Sequence, residues 1–215
     1  MKRLIIFVSA LLLLSSFANA QSSAESKAIL DNAYEQFEKS NGIKLSFVLT
    51  TEDADGTVYD PQNGTAFVKQ NKFKLDLLFA TTWFDGKTQW VLLKDANEVN
   101  ISNPSPQELI TISPLALLNL YKTGYNLKKP VRKTIQGKEL LQIELTPTDS
   151  SREFKNLTIT LDKNTNSVTN VSFTTREGIK NTLTITKYQS DNNFSNDLFT
   201  FNKFNHPGVE VIDLR

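Results

Sequence analysis

The segment Gly64–Leu93, GTAFVKQNKFKLDLLFATTWFDGKTQWVLL, leaves the chain few choices of fold. Strand-length runs follow one another there, carrying both tryptophans of the protein and one hairpin signal, Asp85-Gly86. Asp-Gly between alternating runs favours a tight two-residue hairpin, because both central residues take positive φ. Phe73, Leu75, Leu77 and Phe79 fall on one face of a strand, with Lys72, Lys74 and Asp76 on the other. Trp83 and Trp90 flank the turn and are spaced to meet across it. The segment therefore builds a sheet with a large apolar, aromatic face. The rest of the chain must cover that face or leave it to a ligand.

The flanking sequence supplies both more sheet and a few helices. Before the segment, residues Ser22–Lys39 predict an amphipathic helix, with Ile29, Leu30, Ala33, Tyr34 and Phe37 recurring at three- and four-residue spacing. Lys44–Thr50 then alternates as a strand, and Val58-Tyr59 starts a return strand interrupted by Pro61. After the segment, Ser105-Pro106-Gln107-Glu108 is a capping box with proline at the first helical position, and Ser113-Pro114 repeats the helix start. The second helix, Leu115–Tyr121, is apolar almost all round, so it must be covered on more than one side or face an apolar ligand. From Tyr125 the period-two pattern returns, with strands expected at Tyr125–Lys128, Arg132–Ile135, Leu140–Leu145, Leu157–Leu161, Val168–Thr175, Asn181–Tyr188 and Phe199–Asn202. Short antiparallel strands with one wet and one apolar face predict a mainly β (α+β) protein built on a strongly curved sheet or barrel of about eleven strands. An ordinary β-sandwich core would account for the same alternation. The apolar helix pair between strands argues instead for a lid over an enclosed volume.

Met1-Lys2-Arg3, the apolar run Leu4–Leu14 and Ala18-Asn19-Ala20 form the three regions of a signal peptide, residues 1–20, with cleavage expected after Ala20. The expectation is a single exported domain over residues 21–215, near neutral in charge and without a basic cluster to attract nucleic acid. With no cysteine, disulfides, thiolate metal sites and a lipidated cysteine are excluded, and the single histidine, His206, reads as a loop residue. No nucleophile elbow, phosphate-binding loop or dinucleotide fingerprint occurs, so neither an enzyme nor a cofactor is expected.

Several stretches, in order, resemble the LolA family of periplasmic lipoprotein carriers. Gly64-Thr65-Ala66-Phe67-Val68-Lys69 is similar to the family's G-x-L-W-V-K strand, and Phe84-Asp85-Gly86-Lys87-Thr88-Gln89-Trp90 to its S-D-G-K-T-L-W. Phe199-Thr200-Phe201, followed by Pro207-Gly208-Val209-Glu210-Val211, is similar to F-x-F…P-x-G-V-x-V. The resemblance implies an unclosed antiparallel β-barrel whose N-terminal helix and helical lid enclose an apolar cavity for lipoprotein acyl chains. It implies Phe37, Phe47, Phe67, Phe73, Leu75, Trp83, Trp90, Leu92, Ile112, Leu115, Leu118 and Tyr121 as the lining. The implied partners are acylated lipoproteins, an inner-membrane lipoprotein-releasing ABC transporter and an outer-membrane acceptor. A sensory or regulatory lipid-binding module on the same scaffold is the alternative. Two positions depart from the family pattern. Gln70 stands where an arginine is implied to latch the lid, and Phe47-Val48-Leu49 replaces F-x-Q. Glutamine retains hydrogen-bonding capacity but lacks the charge and the guanidinium fork.

Overall fold

The computed structural model describes residues 23–215, so the expected signal peptide and its cleavage site lie outside the described residues. Helix α1 spans residues 23–39. Six strands follow: β1 (Ile43–Glu52), β2 (Gln62–Lys69), β3 (Lys72–Asp76), β4 (Ala80–Phe84), β5 (Gln89–Leu93) and β6 (Glu98–Ser102). The two predicted helices come next, α2 (Pro106–Ile112) and α3 (Pro114–Asn119), ending in a 3-10 turn at Leu120–Lys122. The second half is β7 (Tyr125–Leu127), β8 (Val131–Ile135), β9 (Lys138–Pro147), β10 (Phe154–Asp162), β11 (Val168–Thr175) and β12 (Lys180–Gln189). A tail with two 3-10 turns, Asn196–Phe199 and Lys203–Asn205, leads to β13 (Glu210–Asp213).

All thirteen strands belong to one sheet in the order β13-β6-β5-β4-β3-β2-β1-β12-β11-β10-β9-β7, with β8 pairing beside β7 on β9. The two ends do not meet, so this is an unclosed barrel. Every pairing is antiparallel except β13 on β6. Two expectations are corrected. Phe199–Asn202 is not a strand: Ser195 caps a 3-10 turn there, which sinks Phe199 fully into the core. Val58-Tyr59 makes only a single bridge, Glu52 to Val58, and β2 begins after Pro61, which has no amide hydrogen for a ladder.

Two bulges keep the concave face apolar. A strict ladder would turn Tyr188 away from Ile185, since residues three apart point to opposite faces. The register slips between Ser46 and Phe47, pairing Leu45 with Tyr188 but Phe47 with Ile185. The skipped residue brings Tyr188, Ile185 and Leu183 to the same side. An equivalent slip between Thr160 and Leu161 does this for Val168 and Val171. Beneath them lies the dry floor of the barrel, where Ile143, Leu145, Leu157, Ile159 and Leu161 are fully buried and paired across β9 and β10.

Gly64 has a packing role. It stands directly opposite Phe47, and a Cβ there would come within 2.2 Å of the Phe47 ring. The glycine lets the ring lie flat over β2. Gly64→Val should force Phe47 off its rotamer, costing about 1–3 kcal/mol and narrowing the concave face. Thermal denaturation combined with titration of an apolar probe would register both effects.

Candidate functional site

The concave face is capped rather than filled. Helix α1 crosses it with Leu30 and Ala33 buried and Phe37 packed against three separate apolar clusters. Its first turn is pinned by the fully buried Ser26, whose hydroxyl donates to the Lys128 carbonyl at 2.6 Å. Beside α1, helices α2 and α3 form the lid. Ser105 and Glu108 complete the capping box, and Ser113 accepts from the Ala116 amide to start α3. Each cap satisfies amide hydrogens that a helix this short cannot pair internally.

Between sheet and helices lies a cavity of about 470 Å³. Its walls are Leu45, Phe47 and Leu49 from β1, Ala66 from β2, Leu75 and Leu77, and Val171, Phe173, Leu183, Ile185 and Tyr188 from the far side. Ala33 and Phe37 of α1 and Ile110, Leu117 and Leu118 of the lid complete it. Polar residues are the minority of the lining: Gln36, Thr82, Ser113, Glu153, Asn166, Ser167, Thr175 and Asn181. A volume of this size lies within the ~300–1,000 Å³ of small-ligand pockets, and an apolar lining of this kind offers an acyl chain only dispersion and exclusion of water. No cluster of histidine, aspartate and glutamate among the described residues could hold a metal ion.

The expected lining residues divide by face. Phe37, Phe47, Leu75 and Leu118 line the cavity. Phe73 shares that face but lies beneath it, 1% exposed and packed on Phe84 with ring centroids 5.3 Å apart. Tyr121 is buried in the core at the end of the lid. Phe67, Trp83, Trp90 and Leu92 do not line the cavity. On β2 it is Gly64, Ala66 and Val68 that face inward, which sends Phe67 to the convex side against Phe194 of the tail, at 5.6 Å. Trp83 and Trp90 do face each other directly, as the hairpin spacing predicts. They form a second apolar cluster with Leu92, Val99 and Val209, which the tail covers through Phe201 and His206. The side chains of Ile112 and Leu115 lie outside the described residues. Phe79 ends in an exposed turn, because β3 stops at Asp76. The lining also takes Phe173 and Leu183, from strands whose alternation is readable, and Phe154, which lies ahead of the expected strand Leu157–Leu161.

Gln70 occupies the β2–β3 turn with φ of +55°, and no hydrogen bond joins it to the described lid side chains. A different tie is present. The Tyr121 hydroxyl donates to Asp31 Oδ1 at 2.6 Å, linking the end of the lid to α1, and Lys122 Nζ sits 3.3 Å from the centre of the Tyr34 ring. The hydrogen bonds from Lys27 and Tyr121 hold the Asp31 carboxyl below the usual carboxylate range, while burial and then Asp31 itself push the Tyr121 hydroxyl up. A depressed Asp31 contributes stability above its ordinary value of 3.8, lost as pH falls through the folded value. A raised Tyr121 contributes below its ordinary value of 10.0, and that contribution fades as pH climbs through the folded value. The tie should therefore hold across the intervening neutral window and loosen in acid. Protection of the α3 amides, taken relative to the intrinsic exchange rate at each pH, should fall below about pH 4 in the native protein, and Asp31→Asn should flatten that dependence.

A family profile described as outer membrane lipoprotein carrier protein LolA matches residues 14–179. No curated protein matches the chain in sequence. Among solved structures, an uncharacterized conserved protein from Thermus thermophilus is similar over 88% of this chain and 99% of its own, at 11% identity and a TM-score of 0.59. The lipoprotein LppX of Mycobacterium tuberculosis covers 78% of this chain and 96% of its own at 17% identity, with a TM-score of 0.49. A putative outer membrane lipoprotein-sorting protein domain from Vibrio parahaemolyticus covers 83% and 97% at 12% identity, with a TM-score of 0.47. At such identities likeness is one of fold alone, and of these three only the Thermus protein is close enough in shape to weigh. The profile match over most of the chain, on an unclosed barrel lidded by helices, places this protein in the outer membrane lipoprotein carrier family.

Proposed function

We propose that the protein is a non-catalytic carrier that shields the acyl chains of lipoproteins as they pass from the inner to the outer membrane. The observation that carries this reading is the apolar cavity of about 470 Å³ held between the concave sheet and a lid of two short helices. Each methylene withdrawn from water is worth ~0.8 kcal/mol, so free acyl chains cannot cross an aqueous compartment at useful rates without cover. Among the described residues, the Tyr121–Asp31 hydrogen bond and the Lys122–Tyr34 contact join the lid to α1, and modest ties of this kind suit cargo that must also be released. On this reading residues 1–20 are removed on export and the mature protein works in the periplasm. Cargo comes from an inner-membrane lipoprotein-releasing ABC transporter and goes to an outer-membrane acceptor. The lid closes through the Tyr121–Asp31 tie.

Depletion of the protein, followed by membrane fractionation of a labelled lipoprotein, tests this. Accumulation of outer-membrane lipoproteins on the inner membrane is the expected result. An unchanged distribution would remove the carrier role and leave a lipid-binding module, for which a signalling partner would be sought. Tyr121→Phe should lower stability by only about 1 kcal/mol. It should speed release of a bound fatty-acid probe several-fold, measured by stopped-flow fluorescence.

A further inference from the structure

The tail does more than cover the second apolar cluster. Phe201 and His206 stack on each other at 5.1 Å and both rest edge-on against Trp83. The residues between them form the 3-10 turn Lys203–Asn205, capped by the Asn202 side chain, which accepts from the Phe204 amide at 3.0 Å. Val209, buried, anchors the exit. This fixed turn holds Phe204 almost wholly in water, 96% exposed, while Trp83 beneath it is buried and Trp90 and Phe201 are partly buried. Its immediate neighbours, Asn202, Lys203 and Asn205, are polar and exposed.

The convex face that runs from the turn across β3, β2, β1 and β12 carries several lysines. Trp83 lies under Lys74, at 5.5 Å, and Lys74 shares the Phe67 ring with Lys44. Lys187 is exposed opposite Ser46 on the next strand. Among the described residues, Lys44, Lys74, Lys187 and Lys203 form no ion pair; the carboxylates Glu52 and Asp76 of β1 and β3 are taken by Lys180 and Lys94, and the tail adds the exposed Asp191 and Asp197. Cations gathered on one face repel each other, and a chain keeps them there at some cost.

From this geometry we infer that the convex face docks on an anionic phospholipid surface, with Phe204 entering the headgroup layer and the four lysines meeting lipid phosphates. A protein partner would be met by an aromatic set in a dry apolar patch. A single ring surrounded by lysine and asparagine instead matches the membrane–water interface, where aromatics sit at headgroup level and cations bind anionic lipid. The face lies outside the cavity, so the inference stands independently of what the cavity carries.

Sedimentation of the full mature protein with vesicles tests it. At low salt the protein should bind phosphatidylglycerol-containing vesicles and ignore pure phosphatidylcholine, and binding should fall steeply as salt rises. Phe204→Ser should weaken binding about 10-fold, since burial of one ring is lost. The quadruple change of Lys44, Lys74, Lys187 and Lys203 to glutamine should abolish it. Phe204→Trp should gain fluorescence quenching by brominated lipid beyond that of the native tryptophans. Both loss-of-binding variants should keep the native circular dichroism and native uptake of a fatty-acid probe, which separates this surface from the cavity. Equal binding to neutral vesicles, indifference to Phe204→Ser, or no binding at low salt would each overturn the inference.

Discussion

Leu117→Asp should reduce the affinity for a fluorescent fatty acid at least about 100-fold while leaving the sheet intact. Leu117 faces the cavity from α3, and its side chain is only partly buried, so the empty protein can keep a carboxylate there hydrated. A bound acyl chain would remove that water. An uncompensated charge against hydrocarbon costs several kcal/mol, and each 1.4 kcal/mol is tenfold in affinity. Leu117→Ala, which removes contacts without adding charge, should lose no more than about tenfold. Phe47→Asp on the opposite wall should match Leu117→Asp in its effect on binding, but it also uncovers Gly64 and should lower stability. The measurement is a fluorescence titration alongside far-ultraviolet circular dichroism. Native affinity in a folded Leu117→Asp protein would mean that the acyl chain lodges elsewhere.

The second large effect belongs to the barrel floor. Ile159 is fully buried and paired with Ile143 on one side and Val171 on the other. Ile159→Ala should cost about 2–5 kcal/mol, the loss of transferred methylenes together with a void that packed neighbours cannot close. For a domain of this size each kcal/mol moves the melting midpoint by ~2–4 °C, so a drop of roughly 5–20 °C is expected by calorimetry. The contrast with the wall is diagnostic. Val171→Ala, at the boundary between floor and cavity, should cost less, because its side chain already borders unfilled space. If wall and floor substitutions proved equally costly, the cavity would be behaving as packed core.

Much of this architecture is legible in the chain itself. Alternation at Leu141/Ile143/Leu145 and Leu157/Ile159/Leu161 identifies β9 and β10 and pairs them in register. Ser105, Glu108 and Ser113 mark both lid helices because caps are local hydrogen bonds, settled within four residues. Asp85-Gly86 marks the hairpin that sets Trp83 opposite Trp90. The loop has four residues, Asp85 to Thr88, with Gly86 alone at positive φ, instead of the expected two-residue turn, because the Asp85 carboxylate accepts from the Lys87 and Thr88 amides. The departures in the lining have one cause. Period two says that residues share a face; it does not say which face is turned inward.

Here the convex face is apolar too along β4, β5 and β6, where the tail covers it, while α1 and the lid cover the concave one. Phe67, Trp83, Trp90 and Leu92 were therefore assignable to either side from sequence, and they take the convex one. Gly64 and Ala66, small residues in a strand otherwise rich in bulk, mark the side on which room is left. The bulges that turn Tyr188 and Val168 inward leave no local signature, because they arise from fitting two strands of unequal pattern against each other. Local chemistry determined the elements, their caps and their tight turns. Which apolar face became cavity and which became core was decided only when segments far apart in sequence, residues 23–39 and the tail after Gln189, settled on opposite sides of one sheet. Burial is a property of what covers a surface, and the covering here is long-range.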